Sequence, residues 1–198
     1  MAWVVLGVIL SKKSNEEEVM KRKIIGVAIV FYLILGFSVS MRAEPNIPKN
    51  KQTVLGLYIT ARDAYFKWYG HKEKVVILDV RTLEEYIFVG HAPMARNIPV
   101  KFLNQKQTIE KMRPVMEINP DFVSIVKKDY KVTDTILIMC RSGGRSAAAV
   151  NFLAEAGFTD VYNIIDGFEG DPVKEPESYY IGKRVKNGWK NSGVPWTY

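Results

Sequence analysis

The chain has 198 residues, 47% of them hydrophobic, which suits one domain with a substantial core. A single cysteine excludes an internal disulfide and a thiolate zinc cluster within one chain, and two histidines, His71 and His91, leave no His-rich metal site. The formal charge of +7 is mild once residues 1–43, with six Lys/Arg against three Glu, are set aside, and no lysine stripe interleaved with aromatics marks a nucleic-acid surface.

Residues 1–19 carry a short apolar run and then a charged stretch. Met20 is followed by Lys21, Arg22 and Lys23, an apolar run over 24–37, and the small residues Ser38 and Ser40. That is the layout of a secretory signal peptide, so the expectation is a start at Met20 and cleavage after Ser40. The alternative is a retained anchor through residues 24–39, although its apolar run is shorter than the ~20 residues of a usual spanning helix. Either way the following domain is expected outside the cytoplasm, in the periplasm if the source is Gram-negative.

Residues 44–52 contain two prolines and read as a linker. Residues 53–68 show helical spacing through Ala61, Ala64, Tyr65 and Trp68. An apolar run at 75–78 predicts a buried strand ending at Asp79, and Thr82 with two glutamates behind it predicts a capped helix. Residues 97–99 suggest a brief strand, and 109–116 and 122–130 two surface helices. The strongest strand signal, TILIM at 135–139, runs into Cys140. An alanine-rich helix over 146–156 stops at Gly157, and 161–165 is another strand. This alternation predicts an α/β domain over 53–170 with a central, mostly parallel sheet flanked by helices. The tail, 171–198, holds five aromatics that are expected to pack back on the domain.

In an open α/β sheet ligands bind beyond the carboxyl ends of the strands, where Cys140 falls. Between it and the next helix lie Arg141, Ser142, Gly143, Gly144 and Arg145, with Ser146 opening the helix. The glycines permit a sharp turn whose amides converge, the helix N-terminus adds positive potential, and the two arginines add charge. A thiolate at that spot is a nucleophile suited to anions. No Gly-Lys-Ser/Thr follows, so the loop is not a P-loop. Sulfur transfer through a persulfide and phosphoryl or arsenate chemistry both remain open. The small loop and the absence of an obvious general acid favour sulfur transfer, since sulfite or a thiolate leaves as an anion.

Two stretches, "VVILDVRTLEEYIFVGHAPMARNIPV" at 75–100 and "ILIMCRSGGRSAAAVNFLAEAGFTDVYNIIDGFEGD" at 136–171, closely resemble the rhodanese family. The resemblance implies a rhodanese-like α/β domain with Cys140 as the sulfur-carrying nucleophile. Arg141, Ser142, Gly143, Gly144, Arg145 and Ser146 would form its cradle, and no metal or organic cofactor is implied. An Arg145 five positions past the cysteine is the sulfurtransferase loop length, one shorter than in related phosphatases. Asp79, Arg81, Glu85 and His91 are expected to form a supporting polar network at the strand ends. Where the family commonly has Gly-His-Ile-Pro-Gly-Ala, this chain has Met94 at the second glycine, a change expected to alter packing more than chemistry. The implied partners are a small anionic sulfur donor such as thiosulfate and a thiol or cyanide acceptor, with an exported protein as a further acceptor. A non-catalytic binding or regulatory module is the alternative, and a cysteine-dependent phosphatase or arsenate reductase a weaker one.

Overall fold

The computed structural model describes residues 46–198. The expectations for the start site and for the signal peptide or anchor lie outside the described residues.

Two apolar runs set the centre of the sheet. β2 (Val75–Asp79) and β6 (Thr135–Met139) pair in parallel from Val75 opposite Thr135 to Asp79 opposite Met139. Neither strand alternates apolar with polar, because both of its faces are covered. β7 (Val161–Ile164) lies beside β6, β1 (Tyr58–Ile59) beside β7, and β3 (Arg96–Asn97) beside β2, all parallel, in the order β1-β7-β6-β2-β3. β4 (Lys101–Leu103) and β5 (Met116–Ile118) form a separate antiparallel pair. The helices are α1 (Ala61–Gly70), α2 (Leu83–Phe88), α3 (Gln105–Lys111), α4 (Phe122–Asp129) and α5 (Gly144–Glu155). The fold is thus α/β with a parallel central sheet flanked by helices.

Successive residues of β6 face opposite layers. Ile136, Ile138 and Cys140 join one cluster with Phe122 and Val126 of α4 and Ala149, Val150 and Leu153 of α5. Leu137 and Met139 join the other, with Ala61 and Ala64 of α1 and with Phe168, Trp189 and Val194. The second layer is covered by α1, by the turn holding Ala92 and Ala95, and by the C-terminal tail. Trp189 is fully buried, its Nε1 donates to the Pro195 carbonyl at 2.9 Å, and its ring meets Tyr65 edge-on at 6.1 Å. Further along, Thr197 and His91 exchange backbone hydrogen bonds of 2.6 and 2.9 Å.

Several boundaries differ from the sequence expectations. The helix expected over 53–68 begins only at Ala61, capped by Thr60, whose side chain accepts from the Asp63 N–H at 3.2 Å. Ahead of it Leu57 and Ile59 accept from Asn163 and Ile165, so tertiary pairing with β7 makes that stretch an edge strand. The helix expected over 109–116 lies earlier, at Gln105–Lys111. Met112 ends it with φ of +47°, Pro114 follows, and the chain turns back as β5. Helix α5 starts at Gly144, two residues ahead of Ser146. Within the stretch read as a linker, Lys49–Lys51 form a 3-10 turn and Lys51 is 8% exposed.

If the tail is core, Trp189→Ala should cost about 3–5 kcal/mol of stability, the usual range for a buried large aromatic. Urea unfolding checks this, and a midpoint unchanged from wild type would show the tail to be an appendage.

Candidate active site

β6 ends at Met139, and the chain turns through 140–143 into α5. Gly143 makes the turn with φ of +95°, and a Cβ there would lie 2.3 Å from the Ile165 carbonyl oxygen. Only glycine fits. Its N–H donates to Cys140 Sγ at 3.2 Å. The Ser146 hydroxyl lies 3.3 Å from the same sulfur and 2.6 Å from Asn163 Oδ1, so two acceptors share its single proton. Asn163 Nδ2 donates to the carbonyls of Lys51 (2.9 Å) and Gly143 (3.1 Å), which fixes which way the amide faces.

A second loop backs the first. Phe168 N–H donates to the Cys140 carbonyl at 2.7 Å, and Glu169 N–H to the Arg141 carbonyl at 2.9 Å. These bonds turn the carbonyls of the cysteine loop away from the sulfur. The approach is close: a Cβ at Gly167, φ +62°, would sit 2.5 Å from the Cys140 oxygen. Asp166 anchors this backing loop by accepting from the N–H groups of Ala61 (2.7 Å) and Gly188 (3.1 Å). Burial pushes the Asp166 carboxyl up, more than those bonds and the Lys51 charge lower it.

Of the expected cradle residues, Arg141, Ser142, Gly144 and Arg145 border a cavity of about 370 Å³ together with Cys140, which is 1% exposed. Gly143 and Ser146 do not border it; they contact the sulfur from within the fold. Arg145 points into a two-pronged ion pair with Glu85, both contacts 2.6 Å. Glu85 is held for this by the α2 cap: its N–H donates to Thr82 Oγ1, and its carboxylate accepts from the Thr82 N–H. Burial works to raise the Glu85 carboxyl, but the Arg145 hydrogen bonds and charge outweigh it, and the net shift is downward. Burial likewise works to lower Arg145, which the Glu85 pairing overcomes.

The expected supporting residues divide. Asp79 and Arg81 are fully buried and paired at 2.6 Å, with Arg81 also donating to the Gly90 carbonyl and lying over the Phe168 ring. His91 stacks on Tyr86 with ring centroids 3.9 Å apart, and its Nδ1 lies 3.1 Å from the Tyr86 carbonyl. Glu85 does not join them but serves Arg145. Met94 sits in the 92–95 turn without positive φ and packs on the second core cluster, so that turn does not require glycine.

Sequence reasoning missed Asn163, Lys101 and Asn50. A lone asparagine inside an apolar strand was a usable signal for Asn163, since a buried amide must find partners. Lys101 and Asn50, which also border the cavity, lie on a short strand and in a turn that carried no motif.

The rhodanese-like domain family matches residues 64–171 of the chain. The uncharacterized protein RP600 of Rickettsia prowazekii is 33% identical over 122 residues, 62% of this chain and 82% of the relative. Thiosulfate sulfurtransferase 16, a chloroplastic protein of Arabidopsis thaliana, is 41% identical over 91 residues, 46% of this chain and 68% of that protein. The crystal structure of Rv0390 from M. tuberculosis superposes with a TM-score of 0.56 at 27% identity, covering 70% of this chain and 95% of that one.

Glu85 titrates lower in the folded chain than its unfolded value of 4.5, so its stabilisation is present above that value and is lost as pH falls through the folded one. Glu85→Gln should therefore cost about 1.5–3 kcal/mol at neutral pH, as for a hydrogen bond between charged groups, with the gap closing in acid. Denaturant unfolding of both proteins across pH tests this; a gap independent of pH would assign the loss to packing instead.

Proposed function

The chain belongs to the rhodanese-like domain family, and from that premise we propose that it is a sulfurtransferase carrying a sulfane sulfur as a persulfide on Cys140. The observation that carries the reading is the setting of one sulfur. It receives an N–H from Gly143, it shares the Ser146 hydroxyl proton with Asn163 Oδ1, and it borders a cavity walled by Lys101, Arg141 and Arg145. A cysteine kept only for packing needs neither donors nor an anion-friendly cavity beside it.

In the first half-reaction the Cys140 thiolate attacks the outer sulfur of thiosulfate or a similar donor. A Cys140–sulfur bond forms, the donor's sulfur–sulfur bond breaks, and sulfite departs with the electron pair. N–H groups of the loop and the start of α5 face the terminal sulfur of the persulfide and stabilise its negative charge. In the second half a thiol or cyanide takes that sulfur and returns the electron pair to Cys140. Arg141, exposed and bordering the cavity, draws in the anionic donor. Arg145 acts through Glu85, fixing the end of the loop against α2. We further propose that the domain works outside the cytoplasm, a reading supported by residues 20–43 of the sequence alone; cell fractionation tests it, and recovery of the domain in the cytoplasmic fraction would overturn it, while N-terminal sequencing decides cleavage, which an intact Lys21 would refute.

Thiosulfate should add about 32 Da at Cys140, as expected for persulfidation, and cyanide should remove it. Cys140→Ser should take up none. A folded wild type that gains no mass from any sulfur donor would leave a non-catalytic binding module, and hydrolysis of an aryl phosphate without a sulfur adduct would indicate a phosphatase.

A further inference from the structure

Building on the sulfur-transfer reading, we propose that Lys101 and Asn50 select the sulfur acceptor, and that they select a small thiol bearing carboxylate groups. Both border the cavity, yet neither belongs to the 140–146 segment, and Asn50 precedes the family-matched residues 64–171 altogether. The cavity, about 370 Å³, falls at the lower end of the roughly 300–1,000 Å³ common for small-molecule sites. It therefore has room for a small organic acceptor beside the cysteine loop.

The charge on its wall is one-sided. Arg145 is neutralised by Glu85, whereas Lys101 and Arg141 have no ion-pair or side-chain hydrogen-bond partner among the described residues. Among the described residues no carboxylate borders the cavity. The Asn50 amide likewise makes no hydrogen bond within the described chain, which leaves two donors and an acceptor for a ligand.

Both groups stand on fixed backbone. Lys101 is on β4, directly opposite Ile118 of β5. Asn50 lies in the 3-10 turn whose next residue, Lys51, is held by Asp171 at 2.7 Å and by Asn163 at 2.9 Å. The backbone that carries each side chain is therefore set before a ligand arrives, and only the side chains themselves have to be ordered.

The second half-reaction brings together two anions, the acceptor thiolate and the persulfide. A carboxylate placed between the Lys101 ammonium and the Asn50 amide would tether the acceptor and offset that repulsion. The acceptor thiolate then attacks the outer sulfur, forming a new sulfur–sulfur bond. The Cys140–sulfur bond breaks, and its electron pair stays on the Cys140 thiolate. Cyanide, with no second group to tether, gains nothing from the pair.

The experiment loads full-length protein from thiosulfate and measures discharge by mercaptosuccinate, 2-mercaptoethanol and cysteamine, which carry negative, no and positive charge beside the thiol. Each rate constant is read as a ratio to that for 2-mercaptoethanol. Comparing variants with the same thiols cancels their intrinsic reactivity. Lys101→Ala should lower the mercaptosuccinate ratio about tenfold, equivalent to about 1.4 kcal/mol. Lys101→Glu should shift preference to cysteamine, and Asn50→Ala should lower the mercaptosuccinate ratio by a smaller factor. Raising the salt from 0.15 M, where the screening length is about 8 Å, to 1 M should compress the wild-type preference. Ratios that stay within about twofold of wild type in Lys101→Ala and Lys101→Glu, on protein that loads sulfur, overturn this inference and leave the sulfurtransferase reading standing. Wild type that loads no sulfur overturns the reading beneath it, and the inference with it.

Discussion

Two backbone hydrogen bonds decide what the cysteine loop can do. Phe168 and Glu169 donate to the carbonyls of Cys140 and Arg141, so those oxygens face the 166–170 loop and not the sulfur. A peptide unit carries its N–H opposite its C=O. With those carbonyls committed to the backing loop, the one loop N–H that meets the sulfur is that of Gly143, at 3.2 Å. The glycines follow from the same contact. Gly167 has to approach the Cys140 oxygen closer than any Cβ would allow, and Gly143 does the same against Ile165. The two loops thus interlock through backbone, with no side chain between them.

Charge reinforces that arrangement from outside. Arg145 leaves the loop at its helical end and is caught by Glu85, which the Thr82 cap of α2 holds ready. Asp79 and Arg81 pair beneath, at the carboxyl end of β2 beside Met139. Removing either partner of a buried ion pair strands the other's charge, and the penalty for that exceeds what the pair gains over an apolar replacement. The Glu85–Arg145 pair ties α2 to the cysteine segment, and the Asp79–Arg81 pair fixes the turn that follows β2. They leave Lys101 and Arg141 as the cations still available to a ligand at the cavity wall.

The legible part of the chain was the local part. TILIM gave β6 to the residue, because a buried parallel strand is a continuous apolar run. Thr82 followed by Glu85 gave the start of α2, because a capping box is written within four positions. The 140–143 turn and the start of α5 were legible because the cysteine, arginines and glycines are adjacent in sequence. What stayed hidden depends on partners far along the chain. Residues 57–59 look helical until β7 is known to lie beside them. Nothing near Lys51 announces that its carbonyl meets an asparagine 112 positions later. Glu85 was grouped with its sequence neighbours Asp79 and Arg81, yet its partner is 60 positions away. Lys101 lies on a strand too short for any periodicity to show.

Asn163 touches the Gly143 carbonyl and the Ser146 hydroxyl, 20 and 17 positions away, and the Lys51 carbonyl, 112 positions away. Contacts of that separation form only after long loops close, and parallel pairing makes such closure slow. As the polypeptide leaves the ribosome, the cysteine emerges well before Asn163, and before the Phe168 and Glu169 amides that orient its loop. A translation product that stops before Asn163 would hold the thiol without the amide and N–H groups that set its surroundings.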